Sequence, residues 1–316
     1  MTTVRAFTFP GQGSQVVGMG KTLADTYGEA RAVFEQVDEA LGESLSRLMF
    51  EGPEEELVLT RNAQPALMAV SLAVVRVLEA ESGKTIRDMA SFVAGHSLGE
   101  YSALAAARAL DLADAAKLLR LRGEAMQSAV PVGEGAMAAL LGVSLDVARE
   151  IAAEGRADGG VCDIANDNAD GQVVISGAKA AVERAVAAAA DKGARKSIML
   201  PVSAPFHCGL MAPAADAMAE ALAITDLRQP LVPLVSNVLA DKLIDPSEIR
   251  IRLVEQVTGM VRWRESVLWL ASQGVTEIVE LGAGKVLTGM AKRIDRSLKG
   301  SAIGTPEEIA AYLETL

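Results

Sequence analysis

The fold turns on one stretch, Ala90-Ser91-Phe92-Val93-Ala94-Gly95-His96-Ser97-Leu98-Gly99-Glu100-Tyr101-Ser102-Ala103-Leu104. Ala90–Ala94 is short and largely apolar, which predicts a buried strand. Glu100–Leu110 is rich in Ala and Leu and predicts a helix. Between them, Gly95-His96-Ser97-Leu98-Gly99 fits G-x-S-x-G, a sharp strand-to-helix turn. Side chains at the flanks of so tight a turn would clash, so glycines stand there and the serine is pushed out with its Oγ exposed. The helix start behind it offers unpaired N–H groups and the positive end of a dipole. The N–H after the serine, that of Leu98, can hold a developing oxyanion. Strand, turn, helix is the layout of an α/β sheet protein.

Working outward, Val4–Phe9 reads as another buried strand, running into the glycine-punctuated loop Pro10-Gly11-Gln12-Gly13-Ser14. Helical patterns follow at Arg31–Leu41 and Ala66–Glu79. From Pro131 to Leu200 the rhythm changes. Ala136–Leu141 reads as a strand, Leu145–Glu154 as a helix, Val161–Ala165 and Val173–Ser176 as strands, Lys179–Ala190 as a helix and Lys196–Leu200 as a strand. This βαββαβ order is ferredoxin-like. It predicts a small subdomain at 131–201, inserted in an α/β large domain made of 1–130 and 202–316. Alternation then resumes with a helix at Leu210–Ala223, a strand at Leu231–Ser236, a helix at Ile249–Thr258 and a strand at Thr276–Leu281. Gly282-Ala283-Gly284-Lys285 lacks the glycine spacing and Ser/Thr of a phosphate loop and reads as a tight turn.

Half of the 316 residues are apolar and only 3% aromatic, which suits helices packed on a sheet. The net charge of −11, with no Lys/Arg block, excludes an ordinary nucleic-acid binder. No apolar run approaches the ~18 residues of a membrane span; Ala66–Val75 is cut short by Arg76. The start of the chain lacks the basic and apolar regions of a signal peptide, so a cytoplasmic address is expected. Cys162 and Cys208 form neither a metal-like spacing nor a disulfide framework and are read as reduced thiols. Neither a metal nor a nucleotide cofactor is expected.

A serine hydroxyl needs a base, and the chain has two histidines. His96 is adjacent to Ser97, but its side chain points away in any sharp elbow and reads as a prop. His207, in Val202-Ser203-Ala204-Pro205-Phe206-His207-Cys208, is the remaining imidazole. No Asp or Glu stands out as a third member, and Glu100 reads as an ordinary first-turn helix carboxylate. Arg122 follows Lys117 and Arg120 on a predicted helix Asp114–Ser128, so a solvated basic face is one reading. The other is carboxylate binding, because a guanidinium forms a planar bidentate pair that Lys cannot. Met126, four residues on, shares its face.

Five segments then occur in order: Phe9-Pro10-Gly11-Gln12-Gly13-Ser14-Gln15, the elbow with Glu100, Arg122-Gly123 with Met126, Pro205-Phe206-His207, and Val257-Thr258 before Val261-Arg262-Trp263. On these the chain resembles, over nearly its whole length, the malonyl-CoA:acyl carrier protein transacylases, the malonyl loaders of fatty acid synthesis. The resemblance implies an α/β-hydrolase-like domain with a ferredoxin-like insertion. It implies transfer of malonyl from malonyl-CoA to the phosphopantetheine thiol of acyl carrier protein through a malonyl-serine, with no cofactor. Ser97 matches the nucleophile, His207 the base, and Gln12 and Leu98 the two backbone N–H donors of the oxyanion hole. Gln256 matches the residue whose main-chain carbonyl orients the base, which would explain the missing triad acid. Arg122 matches the partner of the malonyl carboxylate, and Met126 would line its pocket. Asn166, in Asn166–Gln172, matches a substrate-lining segment. Phe206 resembles malonyl rather than branched-extender enzymes. Rival readings are a serine thioesterase, a carrier-binding subunit without catalysis, and a polyketide-synthesis loader with the same motifs. Two basic groups, Lys192 with Arg195 and Lys196, and Lys285 with Lys292 and Arg293, are candidates for the docking face of an acidic carrier, a solvated helix face being the other reading of each.

Overall fold

In the computed structural model, which describes residues 3–316, ten strands sort into two sheets. They are β1 (Arg5–Phe9), β2 (Phe92–Gly95), β3 (Gly135–Leu141), β4 (Cys162–Ala169), β5 (Gln172–Ala178), β6 (Lys196–Met199), β7 (Leu234–Val235), β8 (Lys242–Leu243), β9 (Glu277–Leu281) and β10 (Lys299–Ile303). The larger sheet has the order β10-β9-β1-β2-β7-β8 and is parallel except at β7–β8. Within β1, Ala6 faces one apolar cluster with Trp263 and Val267, while Phe7 and Phe9 face the other. Both faces are covered, so the strand reads as an unbroken buried run. β9 and β10 lie on one side of β1, β2 and β7 on the other. The carboxyl ends of β1 and β2, where Phe9 pairs with Gly95, therefore meet where the strand order switches, the place such sheets leave open for a ligand.

The helix Thr60–Ser82 corrects one expectation. It is long and apolar enough to cross a membrane, yet 83% of its most apolar stretch is buried inside the protein. It packs between the helices Gly28–Leu41 and Leu112–Ser128. Arg76 does not interrupt it, because its guanidinium is half-buried against Glu79 on the same helix. A helix apolar all round belongs in an interior. Leu67, Leu72 and Val74 are fully buried there, each contributing roughly 2 kcal/mol.

The smaller sheet, β4-β5-β3-β6, is antiparallel throughout. Helices Leu145–Gly155 and Lys179–Ala189 pack on it through Ile151, Val182 and Ala185 against Leu140 and Ile175. Its order of elements follows the sequence pattern. Its one large boundary difference is β4, which runs on to Ala169 through Asn166-Asp167-Asn168, with register shifts at Ile164/Asn166 and Asp167/Ala169. Those polar residues are buried because the far edge of β4 is stitched to the other sheet's layer. Val261 N–H donates to Ala165 O at 2.8 Å, Asp167 N–H donates to Val261 O at 3.0 Å, and Arg264 pairs with Asp167 at 2.9 Å. Elsewhere the expected strand Leu231–Ser236 shrinks to Leu234–Val235, since Pro233 has no N–H for a ladder. The helix after the elbow stops at Ala106, with Arg108 at φ 60° beyond it.

Candidate active site

Backbone geometry builds the first half of the site. Ser97 sits at φ 54°, a left-handed conformation that costs a non-glycine residue on the order of 1–2 kcal/mol. A Cβ on Gly95 would lie 1.8 Å from the Gly99 carbonyl carbon, and one on Gly99 would lie 2.3 Å from Phe9 O. Nothing larger than hydrogen fits at either end of the turn. The strained serine is held from outside by Asn237. Its Oδ1 accepts from Ser97 N–H at 2.7 Å, and its Nδ2 donates to Gly95 O at 2.6 Å. Among the described residues, neither the Gln12 nor the Leu98 N–H donates to a protein acceptor. The Gln12 loop is kept beside the elbow by β1–β2 pairing and by its own side chain, whose Nε2 donates to Thr60 Oγ1 at 3.2 Å.

His207 follows the loop after β6, also left-handed at φ 58°. Its Nε2 is 2.8 Å from Ser97 Oγ, and its Nδ1 is 2.9 Å from the main-chain oxygen of Gln256. A carbonyl can only accept, so Nδ1 carries the proton and Nε2 turns its lone pair to the serine hydroxyl. Burial, followed by the charge of Arg122, lowers the His207 pKa to about 3, which keeps the imidazole neutral. His96 points the other way. Its Nε2 lies 2.8 Å from Asn168 Oδ1 and its ring lies 5.7 Å from that of Trp263.

Side chains build the second half. Arg122 is 1% exposed, unlike Lys117 on the same helix, which faces solvent. Nη2 donates to Ser97 Oγ at 3.1 Å and to Gln256 Oε1 at 2.9 Å, and Nη1 donates to Gln64 Oε1 at 2.8 Å. Its guanidinium lies over the Tyr101 ring. It has no ion pair among the described residues, and its Nε has no partner. A buried cation so placed is costly unless an anion joins it. Gln64 turns its other end to Met126 Sδ at 3.8 Å, so Met126 backs the guanidinium through Gln64. Gln256 Nε2 donates to Ser97 O at 3.0 Å and to Glu100 Oε2. Glu100 is buried, which pushes its carboxyl up to about 7 against the pull of Gln256, Asn237 and Arg122.

Two expected residues stand apart from this web. Asn166 is buried in β4 opposite Val261, and no hydrogen bond joins it to Ser97, His207 or Arg122 among the described residues; Asn168 reaches His96 instead. Phe206 packs in the main core beside His207. Gln64, Asn237 and Glu100 are in the site without having been singled out for it. Gln64 had a faint signal, a polar side chain on a nearly all-apolar helix. Asn237 reads as a turn residue and Glu100 as a helix-start acid.

Cys162 and Cys208 are free and buried. Gly282-Ala283-Gly284-Lys285 is the turn between β9 and the helix Val286–Ile294. Of the two basic groups, Lys192 is already engaged, at 2.8 Å from Glu154 and 4.0 Å from Glu150. Lys285, Lys292 and Arg293 are exposed and have no ion pair among the described residues.

An elbow serine, a neutral imidazole on its hydroxyl and free N–H groups beside it define an enzyme of serine-based acyl transfer. Residues 6–304 match the family described as acyl transferase domain. The chain belongs to this acyl transferase family, among the malonyl CoA-acyl carrier protein transacylases. It is 47% identical over 311 residues to the protein of that name from Bacillus subtilis (strain 168), covering 98% of this chain and 96% of that one. The crystal structure of acyl-carrier-protein-S-malonyltransferase from Bartonella henselae is 55% identical, with a TM-score of 0.96 over 99% of both chains. A malonyl-transacylase solved in complex with a type II PKS acyl-carrier protein is 41% identical, with a TM-score of 0.95 over 99% of this chain and 100% of that one.

Proposed function

We propose that this chain moves a malonyl group from malonyl-CoA to the phosphopantetheine thiol of acyl carrier protein, as a step of fatty acid synthesis in the cytoplasm. The observation that carries the reading is Arg122, a buried guanidinium without a carboxylate partner among the described residues, 3.1 Å from Ser97 Oγ. A simple ester hydrolase has no use for it, whereas malonyl brings the missing carboxylate to the acyl group that the serine receives.

In the first half-reaction His207 Nε2 takes the Ser97 proton as Oγ attacks the thioester carbon. The carbonyl oxygen becomes an oxyanion held by the Gln12 and Leu98 N–H groups. The C–S bond breaks, and the CoA sulfur leaves with the proton from His207. In the second half-reaction His207 takes the proton of the carrier thiol, its sulfur attacks the malonyl-Ser97 ester, and Ser97 regains the proton as the C–O bond breaks. Gln256 O holds the imidazole tautomer through both. Order is ping-pong. Met126 backs the clamp through Gln64, Phe206 sets the approach of His207, and Asn166 belongs to the wall contributed by the insertion.

We read the architecture as an α/β-hydrolase-like domain of residues 1–130 and 202–316 carrying a ferredoxin-like subdomain, 131–201. The β4-β5-β3-β6 order supports that reading. The free thiols of Cys162 and Cys208 suit a reducing compartment. A coupled assay with malonyl-CoA and holo carrier tests the function: thiol-dependent transfer should exceed hydrolysis, and hydrolysis alone would turn the enzyme into a thioesterase.

A further inference from the structure

Glu100 occupies a first-turn helix position, where a carboxylate ordinarily sits in water, yet it is 1% exposed. Its two oxygens face two donors. Oε2 accepts from Gln256 Nε2, and Oε1 accepts from the main-chain N–H of Asn237 at 3.4 Å. The first of these contacts acts with Ser97 O and Arg122 Nη2 to fix the orientation of the Gln256 amide, which has a donor at one end and an acceptor at the other. With its NH2 committed to Glu100 and to Ser97 O, the amide leaves Oε1 for Arg122 Nη2. Reversed, it would set Oε1 against two acceptors and its NH2 against a guanidinium, so all of these contacts would fail together. Arg122, Tyr101, the Ser236 hydroxyl and the Gln256 and Asn237 dipoles are the groups that bear on Glu100. Its main-chain N–H donates to Ser97 O at 3.0 Å as part of the elbow, but its carboxylate has no direct bond to Ser97, His207 or Arg122 among the described residues.

We propose that Glu100 is a positioning residue for malonyl selectivity. By adding a carboxylate acceptor at the NH2 end of the Gln256 amide, it reinforces the orientation that turns Oε1 to Arg122 and holds the guanidinium ready for the substrate carboxylate without touching substrate. The effect falls on the clamp more than on the dyad. The oxygen that holds His207 is main chain in the helix Pro246–Thr258, and a side-chain amide can reverse without moving it. This proposal rests on the malonyl reading above.

The test is the ratio of kcat/KM for malonyl-CoA to that for acetyl-CoA, in which the fraction of active enzyme cancels. Glu100→Met keeps the length and removes both acceptors, and should lower the ratio about tenfold, the loss of one hydrogen bond to a charged group. Glu100→Gln keeps one carbonyl for Gln256 Nε2 and should stay within about threefold of wild type on the same scale. Glu100→Asp, whose oxygens are withdrawn by one methylene, should fall below Glu100→Gln and serves if the Met variant does not fold. An unchanged ratio in the Met and Asp variants overturns the proposal. So does a Gln variant as poor as the Met variant, since charge rather than amide orientation would then be responsible. A wild-type ratio near one would overturn the malonyl reading, and this proposal with it.

Discussion

Ser97 stands between two unlike walls. On one side the wall is main chain: the elbow that throws the serine forward, with the N–H groups of Gln12 and Leu98 left open beside it. On the other it is side chain: Arg122 braced by Gln64 and Gln256, with Glu100 and Asn237 behind them. The main-chain wall serves any acyl group, because an oxyanion looks the same whatever the acyl chain carries. In the function proposed above, the side-chain wall serves one kind, an acyl group ending in a carboxylate. On that proposal rate and choice of substrate reside in different parts of the molecule, joined at Gln256, whose main chain accepts from His207 and whose side chain accepts from Arg122.

That division can be broken from either side. Removing the base with His207→Ala should slow acylation by roughly a thousandfold or more, and equally for malonyl-CoA and acetyl-CoA. Pre-steady-state acylation rates check this, and a loss confined to malonyl would merge the two walls. Arg122→Ala should cut kcat/KM for malonyl-CoA on the order of 100-fold. Acetyl-CoA turnover should hold or rise, because an unpaired buried charge is gone. Equal losses for both substrates would make Arg122 a structural residue.

A third surface sharpens the comparison, since the carrier must reach Ser97 without altering either wall. Lys285, Lys292 and Arg293 lie around the helix Val286–Ile294, whose approach loop comes within 3.3 Å of Ser14 for a Cβ built on Gly284. Reversing the three to Glu should raise the carrier KM about tenfold. The malonyl-CoA half-reaction should stay intact, and rising salt should weaken the wild-type KM, as expected when charges are screened beyond ~8–10 Å. The corresponding reversal of Lys192, Arg195 and Lys196 should do less, because Lys192 is already paired. Unchanged carrier kinetics in the first set would put docking elsewhere.

The smallest effect is one of pH. A buried imidazole whose pKa is lowered to about 3 is fully neutral, and so competent as a base, well below the ordinary histidine value of about 6.5. Acetyl-CoA acylation, which makes no use of the clamp, should therefore show no acid limb centred near pH 6.5. Such a limb would mean that water reaches His207 in the working enzyme.

The elbow of the main-chain wall was legible in the sequence because its parts are contiguous, whereas Gln12 comes from the loop after β1 and was named through the resemblance. Gly95 to Gly99 encode one turn, and the strand before it and helix after it are local patterns. The βαββαβ order was legible for the same reason. The side-chain wall was not, because Gln64, Arg122, Asn237 and Gln256 come from separate segments and meet only in three dimensions. Nothing local distinguishes Arg122 from Lys117 and Arg120, and it took resemblance to single it out. Arg120 is in fact spent on Asn62 and Glu43. The pairing of Lys192 is not legible in the sequence, because its acids, Glu150 and Glu154, lie on a neighbouring helix. Glu100 was passed over because a helix-start acid is common and its burial cannot be read from spacing.

The central claim is that one serine carries a malonyl group chosen by its carboxylate. Peptide-mapping mass spectrometry of the protein mixed with equal malonyl-CoA and acetyl-CoA tests it most directly. The account predicts a single adduct, malonyl on Ser97, with acetyl a minor product and no adduct on the Ser97→Ala protein. Malonyl on Cys162 or Cys208, or acetyl and malonyl in equal amounts on Ser97, would contradict it.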